Sequence, residues 1–171
     1  TVRDLLGIHV NAGHALPVDG AGGEGFDNAA ETLFISPIHA EKYLDAAREA
    51  LEHSLKDPDT RRRLLVAQPG DGMSPEQAAR QVLATFLPRA FRRPVSDQEI
   101  GEYVELFLAS YQQEGLYTPA IKLALEAAMV SPKFLFLWEQ PSESNEPELV
   151  GQFEMASRLS YFLWASMPDA E

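Results

Sequence analysis

Apolar residues recur at helical spacing along most of the chain. Between residues 37 and 56 they fall three or four positions apart, which places them on one face of an α-helix. The stripe there consists of Ile38, Tyr43, Leu44, Ala47, Leu51 and Leu55. Almost no segment shows the alternation of a half-buried strand, and Thr32–Ile35 is the one short extended run. The pattern therefore predicts an all-α, mainly helical fold with at most one short strand pair.

Ser/Thr-Pro pairs mark the predicted helix starts. A hydroxyl caps the first turn, and proline suits the first helical position. Such pairs begin at Ser36, Ser74, Thr118 and Ser131. Ser74 and Ser96 are each followed by Gln or Glu three residues later, which is the spacing of a capping box. We expect helices over residues 37–56, 75–93, 97–114, 119–130, 132–138 and 148–166.

The middle of the chain is expected to form a helical hairpin. Its two arms are the helices 75–93 and 97–114, joined by a short segment that contains a proline. The helices 119–130 and 132–138 should pack across it. The fold would then be a small helical bundle with a Gly-rich loop on its N-terminal side.

Two Pro-rich segments divide the chain into three parts. Residues 57–73 contain Pro and Gly and predict a joint, and residues 139–147 predict an acidic linker. Residues 1–56 are then the C-terminal part of a first helical domain with a Gly-rich loop. Residues 74–138 form a small helical domain, and residues 148–171 begin a third. Because the first residues have the pattern of a helix end, we expect the chain to be a piece of a longer protein.

The charge balance excludes several classes of partner. The 26 acidic and 14 basic residues give a net charge of −12. Nucleic acid is not expected as a partner, since phosphate binding needs a basic face, and an anionic membrane surface is not expected either. No apolar run reaches the roughly 18 residues of a membrane span. The chain has no cysteine, which removes disulfides, thiolate metal sites and covalent c-type haem attachment from it.

A glycine-rich loop holds the candidate metal ligands. Residues 7–31 contain six of the eleven glycines, and within them Asp19, Glu24, Asp27 and Asn28 supply three carboxylates and one amide. Ca²⁺ takes oxygen ligands of this kind, although the spacing is not that of an EF-hand. Alternatively, Asp27 and Asn28 hydrogen-bond the local backbone and hold the shape of the loop, which is the interpretation we favour. We therefore expect no cofactor in this chain, and Ca²⁺ is the candidate under the metal-binding alternative.

A basic cluster ends one of the predicted central helices. Arg89, Arg92 and Arg93 stand just before Pro94. Cations complement the dipole at a helix C-terminus, and guanidinium groups pair with carboxylates in a bidentate way. The cluster would bind an anionic ligand or form a contact with another domain. Internal salt bridges with the acids of the following helix, Asp97, Glu99 and Glu102, are the use that we favour in a chain of this net charge.

No pattern of catalytic residues stands out. The sequence lacks a G-x-S-x-G motif, and the serines at 36, 74, 96 and 131 are explained as helix caps. We expect the aromatic run Tyr161–Trp164 to be part of the core, and the alternative is that it forms an interface. No residue is therefore assigned a catalytic role.

Three groups of motifs resemble one family. They are Thr1–Gly7 with Gly25–Asn28 and Glu41–Ala47, then Arg89–Val95 with Ser131–Phe136, and finally Ala156–Trp164 with Ser166–Asp169. In this order they resemble the helical domains of unknown function in large secreted proteins of planctomycetes and related bacteria. In those proteins the domains follow a cytochrome c-type haem module.

The resemblance implies a non-catalytic structural or interaction segment of an extracytoplasmic multidomain protein linked to a c-type cytochrome redox system. It implies a periplasmic or cell-surface location, other domains of the same polypeptide as partners, and haem only in a neighbouring domain. Many relatives carry cysteines where Ala67 and Ala78 stand here, so a disulfide implied by the family is missing. The rival hypothesis is a metal-binding or enzymatic module with its site in residues 13–31.

The two interpretations of the loop differ in a thermal unfolding experiment. If Asp27 holds the loop shape, Asp27→Ala should cost about 1–3 kcal/mol of stability whether or not Ca²⁺ is present. If the loop binds Ca²⁺, an ion concentration a hundredfold above the dissociation constant should add about 2.7 kcal/mol, and Asp27→Ala should abolish that gain. A stabilisation by millimolar Ca²⁺ that depends on Asp27 would contradict the interpretation we favour.

Overall fold

The computed structural model describes residues 1–9, 16, 36–70, 72–137 and 149–168. These residues form eight helices, which are α1 (Val2–Leu6), α2 (Pro37–Lys56), α3 (Pro58–Leu64), α4 (Pro75–Phe91), α5 (Asp97–Glu114), α6 (Tyr117–Val130), α7 (Pro132–Leu135) and α8 (Gln152–Trp164). The β-type pairing within these ranges is one isolated antiparallel bridge between Gly70 and Met73. The predicted all-α fold is confirmed, while the extended run at residues 32–35 lies outside the described residues.

Serine caps start four of the helices, as predicted. Ser36, Ser74, Ser96 and Ser131 each accept a hydrogen bond from a backbone amide in the helix that follows. Both predicted capping boxes are complete. At the other end, Gly115 closes α5 in the left-handed conformation, with φ of 69°. Local side-chain chemistry therefore sets these boundaries.

Several helix boundaries differ from the prediction, and α4 ends at Phe91 instead of 93. α6 begins at Tyr117 instead of 119, and its N-cap Leu116 makes no side-chain hydrogen bond, so Thr118 does not cap it. α7 ends at Leu135 instead of 138, and α8 covers a shorter range than 148–166. Helix ends with weak or absent caps are the ones that the sequence pattern places least well.

The predicted joint contains a helix. Asp57 ends α2 as expected, but its carboxylate also accepts hydrogen bonds from the amides of Asp59 and Thr60 at 3.0 and 2.9 Å. It therefore caps α3, with Pro58 at the first helical position. Arg61–Arg63 lie exposed in the last turn of α3.

One hydrophobic core joins the N-terminal and central helices. The predicted hairpin is present, because α5 packs against α4 and α6 packs across both. α2 packs on the other side of α6. The fully buried side chains of the shared core include Leu51 from α2, Leu83 from α4, Phe107 from α5 and Leu125 from α6. Residues 37–56 and the central helices are thus parts of one packed body.

Charged residues reinforce the contact between α2 and α6. Lys122 Nζ lies 2.9 Å from Glu52 Oε1 and 3.4 Å from Glu126 Oε1. Arg48 Nε lies 3.6 Å from Glu126 Oε2. Glu126 is buried, and two cations meet its carboxylate, which is what a carboxylate removed from water requires.

α8 presents bulky apolar residues to solvent. Its buried residues are Ser157 and Ser160, whereas Phe162 is 86% exposed and Trp164 is 72% exposed. The default expectation that the aromatic run is core is therefore wrong for these two residues. Apolar side chains surround most of this helix, so the hydrophobic pattern does not predict which side packs against the bundle. In the structure the side with the small residues Ser157 and Ser160 is buried.

Among the described helices, none combines the length and the apolar character needed to cross a membrane.

Leu51→Ala tests whether the shared core unfolds as one unit. The substitution removes a fully buried side chain of α2 and should lower the free energy of unfolding by about 2–5 kcal/mol. Because the core is continuous, amides of α2 and α5 should lose protection from hydrogen exchange together. Leu123→Ala, on the exposed side of α6, is the control and should change stability by about 0.5 kcal/mol or less. Exchange that is faster in α2 alone would show two separate units.

Candidate functional site

The arginine cluster stands on the turn that ends α4. Arg92 follows the last helical residue and adopts a left-handed backbone conformation with φ of 57°. Its amide and that of Arg93 both donate to the carbonyl oxygen of Pro88. A residue other than glycine pays about 1–2 kcal/mol in this conformation, so side-chain contacts must hold it there. The turn sends the cluster's side chains to different partners.

Arg92 binds the carbonyl end of α7. Its Nη2 donates to the carbonyl oxygens of Lys133 at 3.0 Å and Phe136 at 2.6 Å, and its Nη1 donates to that of Phe134 at 3.0 Å. Carbonyl groups at a helix C-terminus lack helical donors and carry partial negative charge. The guanidinium group supplies both the N–H donors and a positive charge. Nη1 also lies 3.4 Å from Tyr161 Oη on α8, and the guanidinium carbon lies 5.7 Å from the centre of that ring.

Two arginines of the cluster are bound by neutral oxygens. Arg92 is only 9% exposed, yet it forms no salt bridge with any carboxylate of the described residues. Arg89 is exposed, and its Nη2 donates to the backbone carbonyl of Asp4 in α1 at 3.1 Å, again without a salt bridge in that part of the chain. Carbonyl dipoles satisfy the hydrogen bonds but leave the net charge. Within the described residues, no carboxylate therefore neutralises the positive charge of either guanidinium group at this end of α4.

Arg93, in contrast, belongs to a compact ion-pair network. Its Nη1 and Nη2 donate to Glu99 Oε2 and Oε1 at 3.0 and 2.7 Å, and Lys133 Nζ donates to Oε1 at 2.8 Å. Glu99 also accepts the amide of Ser96 in the capping box. The hydrogen bonds from Arg93 hold the pKa of Glu99 far below its ordinary value. Burial opposes this shift, and the hydrogen bond from Lys133 adds to it. The carboxylate of Glu99 is thus paired with two cations, and the three side chains together carry one net positive charge.

Polar side chains attach α8 and the turn after it to α1. Tyr161 Oη lies 2.8 Å from Thr1 Oγ1, and Ser166 Oγ donates to the carboxylate of Asp4. The Ser166 hydroxyl, despite some desolvation, holds the pKa of the Asp4 carboxyl below its ordinary value. Tyr161 thus lies within reach of both α1 and Arg92, and it connects the two ends of the described chain.

A groove lies between α1, the end of α4 and α8. Its volume is about 1290 Å³. Four arginines line it, and we call it the arginine groove after them: Arg3, Arg89, Arg92 and Arg93. The lining also contains one aspartate, Asp4, and the apolar residues Pro88, Phe153, Trp164 and Met167. A smaller cavity of about 400 Å³ adjoins it and shares Arg92, Arg93 and Phe153.

The four candidate metal ligands are not part of this site. Asp19, Glu24, Asp27 and Asn28 lie outside the described residues, so the calcium site stays a prediction. In the ranges that the structure describes, no group of three or more His, Cys, Asp or Glu side chains is placed to hold a metal ion.

Sequence reasoning selected the arginines but not their apolar neighbours. The position at a helix end predicted Arg89, Arg92 and Arg93, and the internal salt bridge that we favoured occurs among the described residues at Arg93. Trp164 was predicted to be core as part of the aromatic run, and no site was predicted at Phe153. The available signal was the excess of bulky residues around a helix that has small serines on its buried side.

Three family models match successive segments of the chain. Residues 1–56 match PSD3, Protein of unknown function (DUF1587), and residues 78–139 match PSD5, Protein of unknown function (DUF1595). Residues 150–171 match PSD4, Protein of unknown function (DUF1592). The expected resemblance to a series of domains of unknown function is confirmed at this level. Searches among curated proteins and among solved structures give no match.

Glu99→Gln tests the ion-pair network through its pH dependence. The pKa of Glu99 is far below 4.5 in the folded chain, and 4.5 is its ordinary value. The unfolded chain takes up the proton first as pH falls, so the stabilisation is complete above about pH 5 and shrinks below it. We expect the substitution to cost about 1–3 kcal/mol at pH 7 and clearly less at about pH 3, in chemical unfolding.

Glu102→Gln is the matched control, because Glu102 is an exposed glutamate on the same helix. It should leave the stability nearly unchanged at both pH values. A cost of Glu99→Gln that is the same at both pH values would show that the charge of this carboxylate does not stabilise the fold.

Proposed function

Because three consecutive segments of this chain match domain families of unknown function, we propose that it is a structural and interaction segment of an extracytoplasmic multidomain protein. In this proposal the chain itself is non-catalytic. It holds neighbouring parts of the polypeptide in a defined arrangement around the central helices. The matched segments support a multidomain polypeptide, and the contacts of α4 support the holding role.

The observation that carries the proposal is the turn at the end of α4. Arg89 on this helix binds α1, in the first matched segment, and Arg92 on the turn contacts Tyr161 of α8, in the third. Both arginines belong to the second matched segment. One short stretch of chain therefore touches its predecessor and its successor through charge-assisted hydrogen bonds, which are directional and hold orientation.

The wider setting rests on the resemblance of the motifs. We propose that the parent protein lies in the periplasm or at the cell surface and that a c-type haem module is a neighbouring domain. The haem would be held there, because covalent c-type attachment needs cysteines and this chain has none. The partners of the chain would then be other domains of the same polypeptide.

Arg92→Ala tests the holding role within this chain. Loss of the guanidinium should release α8, so that its amides exchange hydrogen at least about tenfold faster, while amides of α5 stay within about twofold. Arg92→Gly removes the same contacts but suits the left-handed backbone, so it should release α8 equally with a smaller loss of global stability. Arg80→Ala, an exposed arginine on the same helix, is the control. Unchanged exchange in α8 would contradict the proposal.

The native reading frame on both sides of Thr1 and Glu171 tests the wider setting. We expect a signal peptide and a Cys-x-x-Cys-His motif in the same gene product, and haem staining of the extracytoplasmic fraction should detect that product. A start codon directly before Thr1 and a stop codon directly after Glu171 would refute the multidomain setting. The loop at residues 13–31 would then be the next place to look for function.

A further inference from the structure

We propose, building on the interaction role above, that the arginine groove docks an acidic peptide segment that carries bulky apolar side chains. The groove would bind a carboxylate of this segment with the exposed Arg89, would attract it further through the charge of Arg92, and would cover its apolar side chains with the exposed face of α8. The occupant is thus a stretch of protein with alternating acidic and apolar character.

Charge is the first argument for this occupant. The whole chain has a net charge of −12, yet the lining of the groove includes Arg89 and Arg92, which pair with no carboxylate of the described residues, while Arg3 lies 3.8 Å from Asp4. Arg89 and Arg92 bind neutral oxygens, so their positive charges act on the groove. Guanidinium groups pair best with planar, bidentate anions such as carboxylates. Complementary charge also steers the encounter of two protein surfaces.

The apolar wall is the second argument. Phe153 and Trp164 are largely exposed, and both line the groove beside the arginines. Aromatic residues and arginine are the side chains that dominate binding energy in protein interfaces. A small inorganic anion would leave this wall uncovered. A peptide with carboxylates and bulky apolar side chains would meet both parts of the lining.

The size of the groove and the charge of the whole chain disfavour a small molecule and a nucleic acid as occupants. Pockets for small molecules measure roughly 300–1,000 Å³, and the groove, at about 1290 Å³, is larger. A nucleic acid would bring phosphates close to a strongly acidic protein, which is unfavourable. A peptide segment fits the groove and meets less repulsion, because its few carboxylates lie against the arginines.

The probe is a fluorescein-labelled synthetic peptide in which glutamate alternates with phenylalanine and leucine, titrated with the full chain and followed by fluorescence anisotropy. Two matched peptides replace all glutamates by lysine or all apolar residues by serine. We expect the first peptide to bind and both others to bind at least about tenfold more weakly. Binding should weaken as salt rises, because exposed charges are screened.

Paired variants locate the site. Arg89→Glu and Trp164→Ser should each weaken binding at least about tenfold. Arg80→Glu makes the same charge change on α4 outside the groove lining, and Phe162→Ser removes an exposed aromatic residue of α8 outside it. Both controls should stay within about twofold of the unaltered chain. All four positions are exposed, so the variants are expected to fold, which circular dichroism checks.

Several results would overturn the docking proposal. One is that the glutamate peptide shows no binding at a chain concentration of about 1 mM, and another is that the lysine peptide binds as tightly as the glutamate peptide. A loss of peptide affinity in Arg80→Glu equal to that in Arg89→Glu would also overturn it. Inorganic phosphate bound equally by the unaltered chain and Trp164→Ser, with no peptide binding, would make this a small-anion site. A dimer that Trp164→Ser dissociates, with no peptide binding, would make the groove a contact between copies. If α8 exchange depends on Arg92 while no peptide binds, the holding role stands and only the docking proposal fails.

Discussion

The arrangement at one end of the bundle depends on the Arg92 guanidinium and the carbonyl groups at the end of α7. A helix of four residues is too short to be stable by itself, and its exposed carbonyl oxygens need donors. Arg92 supplies them and is thereby held in a backbone conformation that disfavours side chains other than glycine. That turn ends α4, separates the directions of Arg89 and Arg93, and brings Tyr161 of α8 against the bundle.

Two neighbouring arginines show how the type of partner decides the role of a charge. Arg93 forms an ion pair with the carboxylate of Glu99, which Lys133 also binds, so most of its charge acts on that carboxylate. Arg92 meets carbonyl dipoles and a hydroxyl, which satisfy its hydrogen bonds and leave its charge. The first arrangement stabilises a loop between two helices. The second places positive potential in a groove of an otherwise acidic chain, beside an exposed aromatic wall.

The places where sequence-based expectations failed have physical causes that can be named. α3 was missed because Asp57 acts both as the stop of α2 and as the cap of the next helix. The start of α6 was misplaced because Thr118 has the pattern of a cap, while the helix begins earlier without a side-chain cap. The aromatic run on α8 was assigned to the core because bulk normally predicts burial, but here the serine side faces the bundle.

The sequence by itself determined the helical class, the capped helix starts and the position of the arginine cluster. These depend on residues within one or two turns of each other, so hydrogen bonds and apolar spacing along the chain are enough to specify them. Only the tertiary structure decided which oxygens the arginines bind, which side of α8 is buried, and that a basic groove forms between α1, α4 and α8. Those features join residues far apart in the chain, and local patterns carry no information about which distant partner a side chain meets.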